Sequence, residues 1–186
     1  MPRLLFALSG SISCYKACHA ISRLAQAGVE VQTVATAGAL RFIGASTLEG
    51  LTGRAPFTDL WEKGRAMDHI DLARWADLAL VCPASANTLN RLAGGLADDP
   101  VGALFLAWEL QKKPWWVAPA MNTAMWNHPA TTASVARLTG MGVRVLAPES
   151  GALACGEIGA GRLMEPDTLV LHVLAQLGPK IAQPGR

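Results

Sequence analysis

The sequence has few charges and no long apolar run. Only 16% of its 186 residues are Asp, Glu, Lys or Arg, whereas about a quarter is usual in soluble domains, and 51% are hydrophobic. A transmembrane helix needs about 18 or more consecutive apolar residues, and the longest runs here, 78–82 and 101–108, are much shorter. The apolar composition therefore does not come from a membrane span, and we expect no membrane partner.

Clustered cations and paired cysteines are also missing. Sixteen Lys and Arg against 14 Asp and Glu give a net charge of +2 with no basic run, which argues against nucleic acid as the main partner. The four cysteines form no C-x-x-C motif, which predicts a reducing, cytoplasmic compartment. Cys14 and Cys18 lie one helical turn apart, but we expect small buried side chains there and no metal site.

Short aliphatic segments alternate with longer stretches of helical periodicity. This alternation is typical of βαβ units and predicts an α/β fold with a central parallel sheet. The predicted strands are 3–8, 29–35, 78–82, 115–118 and 143–146. The predicted helices are 12–27, 39–53, 85–94, 101–110, 130–140 and 166–177. We expect a single domain over 1–178, followed by a flexible tail at 179–186.

Two stretches do not fit this alternation. Residues 53–68 are irregular and polar, and residues 148–166 are rich in glycine with little apolar content. Long loops in compact domains are often functional, so the glycine spacing of the second stretch predicts a mobile flap. A simple surface connection is the alternative.

The first two strand ends carry small and hydroxyl residues. Ligands of open α/β sheets bind at the carboxyl ends of the strands. The first strand runs into S-G-S-I-S at 9–13, where the N–H groups of a helix start favour a phosphate. The three-glycine dinucleotide fingerprint is absent, and the second strand ends in A-T-A-G at 35–38 without an acidic residue. This pattern favours a mononucleotide over NAD.

The third and fourth strand ends each carry a proline followed by an asparagine. They read P-A-S-A-N-T at 83–88 and P-A-M-N-T-A-M-W at 119–126. The carboxamides of Asn87 and Asn122 can donate and accept hydrogen bonds to a planar heterocycle or a carboxylate. Helix capping by Ser85 is the alternative for the first segment. In the second, the neighbouring methionines could lie on an aromatic ring.

One histidine and one cysteine stand out as candidate catalytic residues. A lone histidine such as His69 is more often a surface or core residue, but Asp68 and Asp71 could bias its protonation. Cys155 lies in the glycine-rich stretch, in A-C-G-E-I-G-A-G-R at 154–162. A cysteine in such a loop is poorly explained as core filler, which favours a role as acid, base or nucleophile.

Together these segments resemble the flavin-dependent cysteine decarboxylases, the family of phosphopantothenoylcysteine decarboxylase and the lantibiotic peptidyl-cysteine decarboxylases. The match begins at the G-S-I turn at Gly10, passes through His69 and the two asparagine segments, and ends in the A-C-G-E-x-G-x-G-R segment. The resemblance implies a flavodoxin-like, Rossmann-like three-layer fold that binds FMN. It also implies homotrimers, sometimes assembled into homododecamers, with FMN held between neighbouring subunits.

The resemblance also implies a reaction and roles for three residues. The reaction is decarboxylation of 4'-phosphopantothenoylcysteine to 4'-phosphopantetheine in coenzyme A biosynthesis. It proceeds by oxidation of the thiol to a thioaldehyde, loss of CO2 and reduction of the enethiol. His69 corresponds to the base that acts on the substrate cysteine, and Asn122 to the residue that holds the substrate carboxylate. Cys155 corresponds to the proton donor of the final reduction.

Further site residues are expected from the same segments. The expected FMN contacts are Gly10, Ser11, Ile12, Thr36, Ser85, Asn87, Thr88, Ala120 and Met121, with Ser11 and Thr36 at the phosphate. The expected substrate contacts are Asn122, Met125, Ala154, Cys155 and Arg162. Lys16 and Arg162 are candidates for the substrate phosphate.

Two other functions remain open. Oxidative decarboxylation of a C-terminal peptide cysteine would use the same site, although Cys155 favours the coenzyme A enzyme. A non-catalytic flavin-fold regulator is the third possibility. Many bacterial homologues continue into a ligase domain, so we expect another protein to perform the ligation.

The low charge fraction predicts an oligomer that hides apolar surface. Tryptophan is unusually frequent, with six residues against one tyrosine. The predicted interface or flavin-wall residues are Trp61, Trp75, Trp108, Trp115, Trp116 and Trp126.

Overall fold

The computed structural model describes residues 1–152, 154–156 and 158–178, and the predicted tail at 179–186 lies outside them. Within that part of the chain, a five-stranded parallel sheet has the strand order β2-β1-β3-β4-β5, and a separate two-stranded sheet joins β6 to β7. The strands are β1 Arg3–Leu8, β2 Glu30–Ala35, β3 Leu78–Ala84, β4 Trp115–Pro119, β5 Arg144–Val145, β6 Glu149–Ala152 and β7 Ile158–Arg162.

Helices cover both faces of the parallel sheet. They are α1 Cys14–Gln26, α2 Ala45–Thr52, α3 Asp68–Trp75, α4 Ala86–Gly94, α5 Pro100–Ala107, α6 Thr123–Trp126, α7 Pro129–Gly140 and α8 Pro166–Leu177, with a 3-10 turn at Ala39–Arg41. In α1, Ala17, Ile21 and Leu24 recur at helical spacing and all three are buried. None of the helices in the described ranges is long and apolar enough to cross a bilayer.

The sheet separates two hydrophobic cores. Successive side chains of a strand point to opposite faces, so Phe6 and Leu80 pack with α1 and α8 in one core. Leu5 and Val81 pack with α3, α4, α5 and α7 in the other. Because both faces of the central strands are covered, these strands read as continuous aliphatic runs. The strand order is that of the flavodoxin-like fold, so the predicted three-layer α/β class is confirmed.

Three of the six tryptophans do not lie where we expected them. Trp115 and Trp116 are adjacent on the central strand β4 and enter opposite cores, and Trp108 packs edge-on against Trp115. The prediction that these three form an interface or a flavin wall is wrong. Strand alternation buries Trp115 and Trp116 on opposite faces of the sheet, and Trp108, at the end of α5, is buried in the same core as Trp115. Trp61 is different, since it is 88% exposed.

Two segments have more regular structure than the sequence indicated. Residues 68–75 form α3, which the sequence pattern did not predict because only Ala73 of this helix is fully buried. The glycine-rich stretch contains an antiparallel hairpin, β6–β7, in place of an irregular loop. Glycine is depleted in strands, so the composition of this stretch hid the hairpin.

Candidate active site

A cavity of about 760 Å³ opens at the carboxyl end of the parallel sheet. The turn after β1 and the start of α1 form one wall, and the segment after β4 forms another. The hairpin and the residues just before α8 complete it. The lining residues are Ser11, Ile12, Ser13, Tyr15, Lys16, Ala120, Met121, Asn122, Ala152, Ala154, Cys155, Gly161, Arg162, Leu163 and Glu165.

The N-cap residue at the start of α1 makes no side-chain cap at this cavity. No side chain caps α1 and its first turn has no acidic residue, whereas α4, α5 and α7 each have a side-chain cap. In the described residues, the Ser11 and Ile12 N–H groups have no hydrogen-bond acceptor. Free N–H groups and the positive end of the helix dipole fit an anionic phosphate.

The turn after β2 packs directly against the turn after β1. A Cβ atom on Gly10 would lie 3.2 Å from the Gly38 backbone, so glycine lets the two turns approach without either having to shift. Thr36 is buried beside them, and its hydroxyl accepts a hydrogen bond from the Ala39 N–H at 3.1 Å. The structure therefore places Gly10 and Thr36 behind the predicted phosphate turn, and neither lines the cavity.

Ser9 joins the ends of β1 and β3, a role that the sequence analysis missed. Its fully buried hydroxyl donates to the Pro83 carbonyl at 2.7 Å and accepts from the Ser85 N–H at 2.8 Å. Ser85 in turn caps α4 by accepting from the Thr88 N–H at 3.3 Å. The capping alternative for Ser85 is therefore present in the structure, and Ser85, Asn87 and Thr88 do not line the cavity.

Asn122 lines the cavity with one half of its carboxamide already occupied. Its Oδ1 atom caps α6 by accepting from the Met125 N–H at 2.9 Å. The side-chain NH2 group therefore remains as the donor for a ligand. Met125 is about half exposed and lies outside the cavity lining.

The hairpin docks on the segment that carries Asn122. The Met121 N–H donates to the Gly161 carbonyl at 3.0 Å, and the Thr123 hydroxyl donates to the Ala160 carbonyl at 2.9 Å. A Cβ atom on Gly161, whose φ is +127°, would overlap the Met121 carbonyl. These contacts bring Cys155 and Asn122 into the lining of one cavity.

Three charged side chains meet at the same cavity. Glu165 Oε1 accepts from Lys16 Nζ at 2.9 Å and forms a second ion pair with the Arg162 guanidinium. The hydrogen bond from Lys16 lowers the pKa of the Glu165 carboxyl, and Arg162 adds to this effect. The two candidate cations for a substrate phosphate are thus both bound to one carboxylate.

His69 lies in a different cavity, of about 470 Å³, which shares no lining residue with the first. Its walls are apolar and include Leu60, the exposed Trp61 and Ile70. His69 is on α3, whose core residues pack on the sheet face opposite α1. Within one chain, the structure does not bring His69 together with Asn122 and Cys155.

One of the two acidic neighbours of His69 has a basic partner. The Asp68 carboxylate accepts from Arg65 Nε at 2.6 Å. Arg65 also donates to the Pro56 carbonyl at 3.2 Å, which fixes the loop before α3. Asp68, the residue just before His69, is therefore paired with the Arg65 cation.

The cysteines differ sharply in exposure. Cys14 and Cys82 are buried, and burial raises the pKa of both thiols. Burial also raises the pKa of Cys18, to about 11. Cys155 is exposed at the end of the hairpin, which makes it the accessible thiol of the four. In the described ranges, no group of three or more His, Cys, Asp or Glu side chains could hold a metal ion.

Comparison with known proteins identifies the family. A family model described as Flavoprotein matches residues 1–178. The chain belongs to the flavoprotein family. The family resemblance inferred from the motifs is confirmed, and membership supports a flavin as the ligand of this flavoprotein.

Two curated relatives differ in length. The flavoprotein is 41% identical to the coenzyme A biosynthesis bifunctional protein CoaBC of Bacillus subtilis over 90% of this chain, and it spans only 41% of that relative. It is 39% identical to a probable phosphopantothenoylcysteine decarboxylase of Streptococcus mutans, over 94% of this chain and 98% of the relative. The flavoprotein thus spans about two fifths of the length of the bifunctional relatives.

Two solved structures share the fold over nearly their whole length. One is a phosphopantothenoylcysteine decarboxylase mutant complexed with pantothenoylaminoethenethiol, with a TM-score of 0.83, 34% identity, and coverage of 94% of this chain and 97% of the other. The second is the FMN-dependent cysteine decarboxylase SpaF, with a TM-score of 0.80, 35% identity, and coverage of 95% and 97%.

Proposed function

We propose that this flavoprotein is an FMN-dependent phosphopantothenoylcysteine decarboxylase. One structural observation carries the proposal: the Asn122 amide and the exposed Cys155 thiol line one cavity beside an uncapped helix N-terminus. Relatives named for this activity match almost the whole chain, which supports the same conclusion. The reaction would convert 4'-phosphopantothenoylcysteine into 4'-phosphopantetheine in coenzyme A biosynthesis.

The residues at the cavity fit FMN. The free N–H groups of Ser11 and Ile12 suit its phosphate, and Ala120 and Met121 supply apolar contacts for a planar ring. Bound FMN would supply hydride acceptance from the substrate and hydride return to the enethiol. The protein contributes orientation and proton transfers.

Three side chains would perform the proton transfers and orientation. His69 would accept the thiol proton when the substrate is oxidised. The Asn122 NH2 group would donate to the substrate carboxylate and orient its C–C bond for cleavage. When CO2 leaves, the electron pair of that bond moves onto the substrate sulfur. Cys155 would then donate the proton that completes the saturated product.

The separation of His69 from the other two residues favours an active site shared between subunits. An exposed apolar surface with Trp61 surrounds His69, and large exposed apolar surfaces mark interaction sites. A homotrimer, alone or within a dodecamer, would place His69 of one subunit at the Cys155 cavity of its neighbour. Since the proton donor must be a reduced thiol, we also propose a reducing, cytoplasmic compartment.

Mixed oligomers test the shared site. His69→Asn removes the base, and Asn122→Asp keeps the cap on α6 but replaces the NH2 donor with an anion. Each variant alone should be inactive. Random co-assembly should restore about a quarter of the parental rate, because one interface in four then carries both intact residues. A mixture that stays inactive would contradict the shared site.

A product assay tests the activity itself. The FMN-loaded protein is incubated with 4'-phosphopantothenoylcysteine or with a cysteine-terminated peptide, and the products are identified by mass spectrometry. We expect loss of CO2 and saturated product from the first substrate. The similarity to SpaF makes peptide decarboxylation the second candidate. Conversion of the peptide alone would favour it, and conversion of neither would refute both.

A further inference from the structure

We propose that Glu165 is a positioning residue that holds the β6–β7 hairpin over the cavity, so that Cys155 reaches the enethiol. This inference rests on the proposed function. Glu165 was not among the expected site residues, and the contact that reveals it joins positions 149 residues apart in the chain.

Glu165 connects both strands of the hairpin to two helices. Its carboxylate accepts from Lys16 of α1 at 2.9 Å and pairs with Arg162 at the end of β7. Its backbone N–H donates to Glu149 Oε1 at 3.3 Å, at the start of β6. Glu149 and Arg162 face each other across the hairpin. Glu165, just before α8, therefore links the first residue of β6 and the last residue of β7 to α1.

The side chain of Arg162, at the end of β7, also contacts the other strand of the hairpin. A Cβ atom on Gly151 would lie 2.9 Å from Arg162 Nη1, so the guanidinium lies close against β6. A larger residue at this position would require the Arg162 side chain to shift. Glu165 holds the Arg162 side chain in place. Because that side chain contacts β6 and belongs to β7, its position affects both strands that lead to Cys155.

Charge balance explains why the carboxylate is required. The Lys16 side chain is only 14% exposed and Arg162 is half-buried, so the Glu165 charge offsets the hydration that both cations lose. Removing one partner of a partly buried ion pair costs more than the pair itself contributes. Without the carboxylate, two cations would face each other and repel. The base of the hairpin would then move away from α1.

The consequence should be largest for one step of the reaction. Thiol oxidation and CO2 loss would depend on His69 and Asn122, which Glu165 does not contact. The final proton transfer alone depends on Cys155 at the hairpin end. A misplacement of about 1 Å can cost as much as a hundredfold in rate. A loosened hairpin should therefore release more enethiol relative to saturated product.

The experiment compares Glu165→Gln with a matched control in the same helix pair. Asp167 of α8 pairs with Arg23 of α1, with side chains that are 72% and 53% exposed and lie outside the cavity. Asp167→Asn thus removes an α1–α8 ion pair without touching the hairpin. Both variants are loaded with FMN and given 4'-phosphopantothenoylcysteine, and the ratio of enethiol to saturated product is measured by mass spectrometry.

Glu165→Gln should raise that ratio roughly tenfold, and Asp167→Asn should leave it unchanged. Backbone hydrogen exchange of 149–152 and 158–162 supplies a readout that does not need the reaction. Exchange there should become faster in Glu165→Gln only. If Glu165→Gln does not fold, Lys16→Met removes the contact with α1 and should make hydrogen exchange of the hairpin faster in the same way.

The two hypotheses fail in different ways. If the parent makes neither product, the proposed function is refuted. Hydrogen exchange still tests whether Glu165 holds the hairpin against α1. If the parent is active but Glu165→Gln slows all steps equally, Glu165 has only a general structural role. An unchanged hairpin exchange, or an equal effect of Asp167→Asn, would also overturn the inference.

Discussion

Replacing Ser9 by alanine tests whether the strand ends that frame the cavity are held by one buried hydroxyl. The substitution removes the donor to the Pro83 carbonyl and the acceptor of the Ser85 N–H. The Pro83 carbonyl keeps the hydrogen bond from the Ser9 backbone N–H at 3.2 Å, so its loss is partial. The Ser85 N–H loses its acceptor. An unsatisfied buried group costs about 1–3 kcal/mol, and the partly buried Ser85 N–H falls in the lower part of that range; a lost hydrogen bond costs about 1 kcal/mol.

The expected destabilisation of Ser9→Ala is therefore about 2–3 kcal/mol. Urea denaturation should show it, and Tm should fall by about 4–12 °C for a chain of this length. Thr139→Ala is the matched control, because its hydroxyl donates to the Val135 carbonyl at 2.9 Å on an exposed helix position. That variant should stay within about 0.5 kcal/mol of the parent. A loss below about 1 kcal/mol for Ser9→Ala would refute the reasoning.

Three further outcomes follow from the site geometry. Gly161→Ala forces a side chain against the Met121 carbonyl at positive φ and should cost at least about 2 kcal/mol in thermal denaturation. Its control Gly50→Ala, in open space on a helix, should stabilise by about 0.5–1 kcal/mol. Iodoacetamide at pH 8 should label Cys155 before the buried thiols, as peptide mass spectrometry will show; earlier labelling of a buried thiol would contradict the structure. The depressed pKa of Glu165 means that its ionised form stabilises the fold above the carboxyl pKa of the unfolded chain, about 4.3. The gap between parent and Glu165→Gln in urea midpoints should thus be present at pH 7 and shrink as pH falls through the folded pKa; a gap that does not shrink on acidification would contradict this.

Local patterns were sufficient to predict most of the fold. Strands β1 and β4 and helices α1 and α8 follow directly from aliphatic runs and helical periodicity, because their buried faces are set by their own residues. Helix α3 and the β6–β7 hairpin were missed because few of their side chains are buried. Their structure depends on contacts with distant segments.

The candidate site also contains residues that the sequence pattern indicates and residues that it does not. Asn122 and Cys155 stand out because of their residue types at a strand end and in a glycine-rich stretch, and the structure places both at one cavity. Ser9 and Glu165 gave no local signal. Their hydrogen bonds join residues 74 and 149 positions apart, so only the tertiary structure shows what a common serine and a common glutamate contact.

The shortage of charge now has a structural explanation within the subunit. Strands β1, β3 and β4 lie between two helical layers and are buried on nearly every residue, so this part of the chain has almost no position for a charge. The composition alone therefore does not require an oligomer. One exposed apolar surface surrounds His69, where Trp61 is 88% exposed and Leu106 is 58% exposed. The proposed assembly therefore draws its support from the surface next to His69, and not from the charge content of the chain.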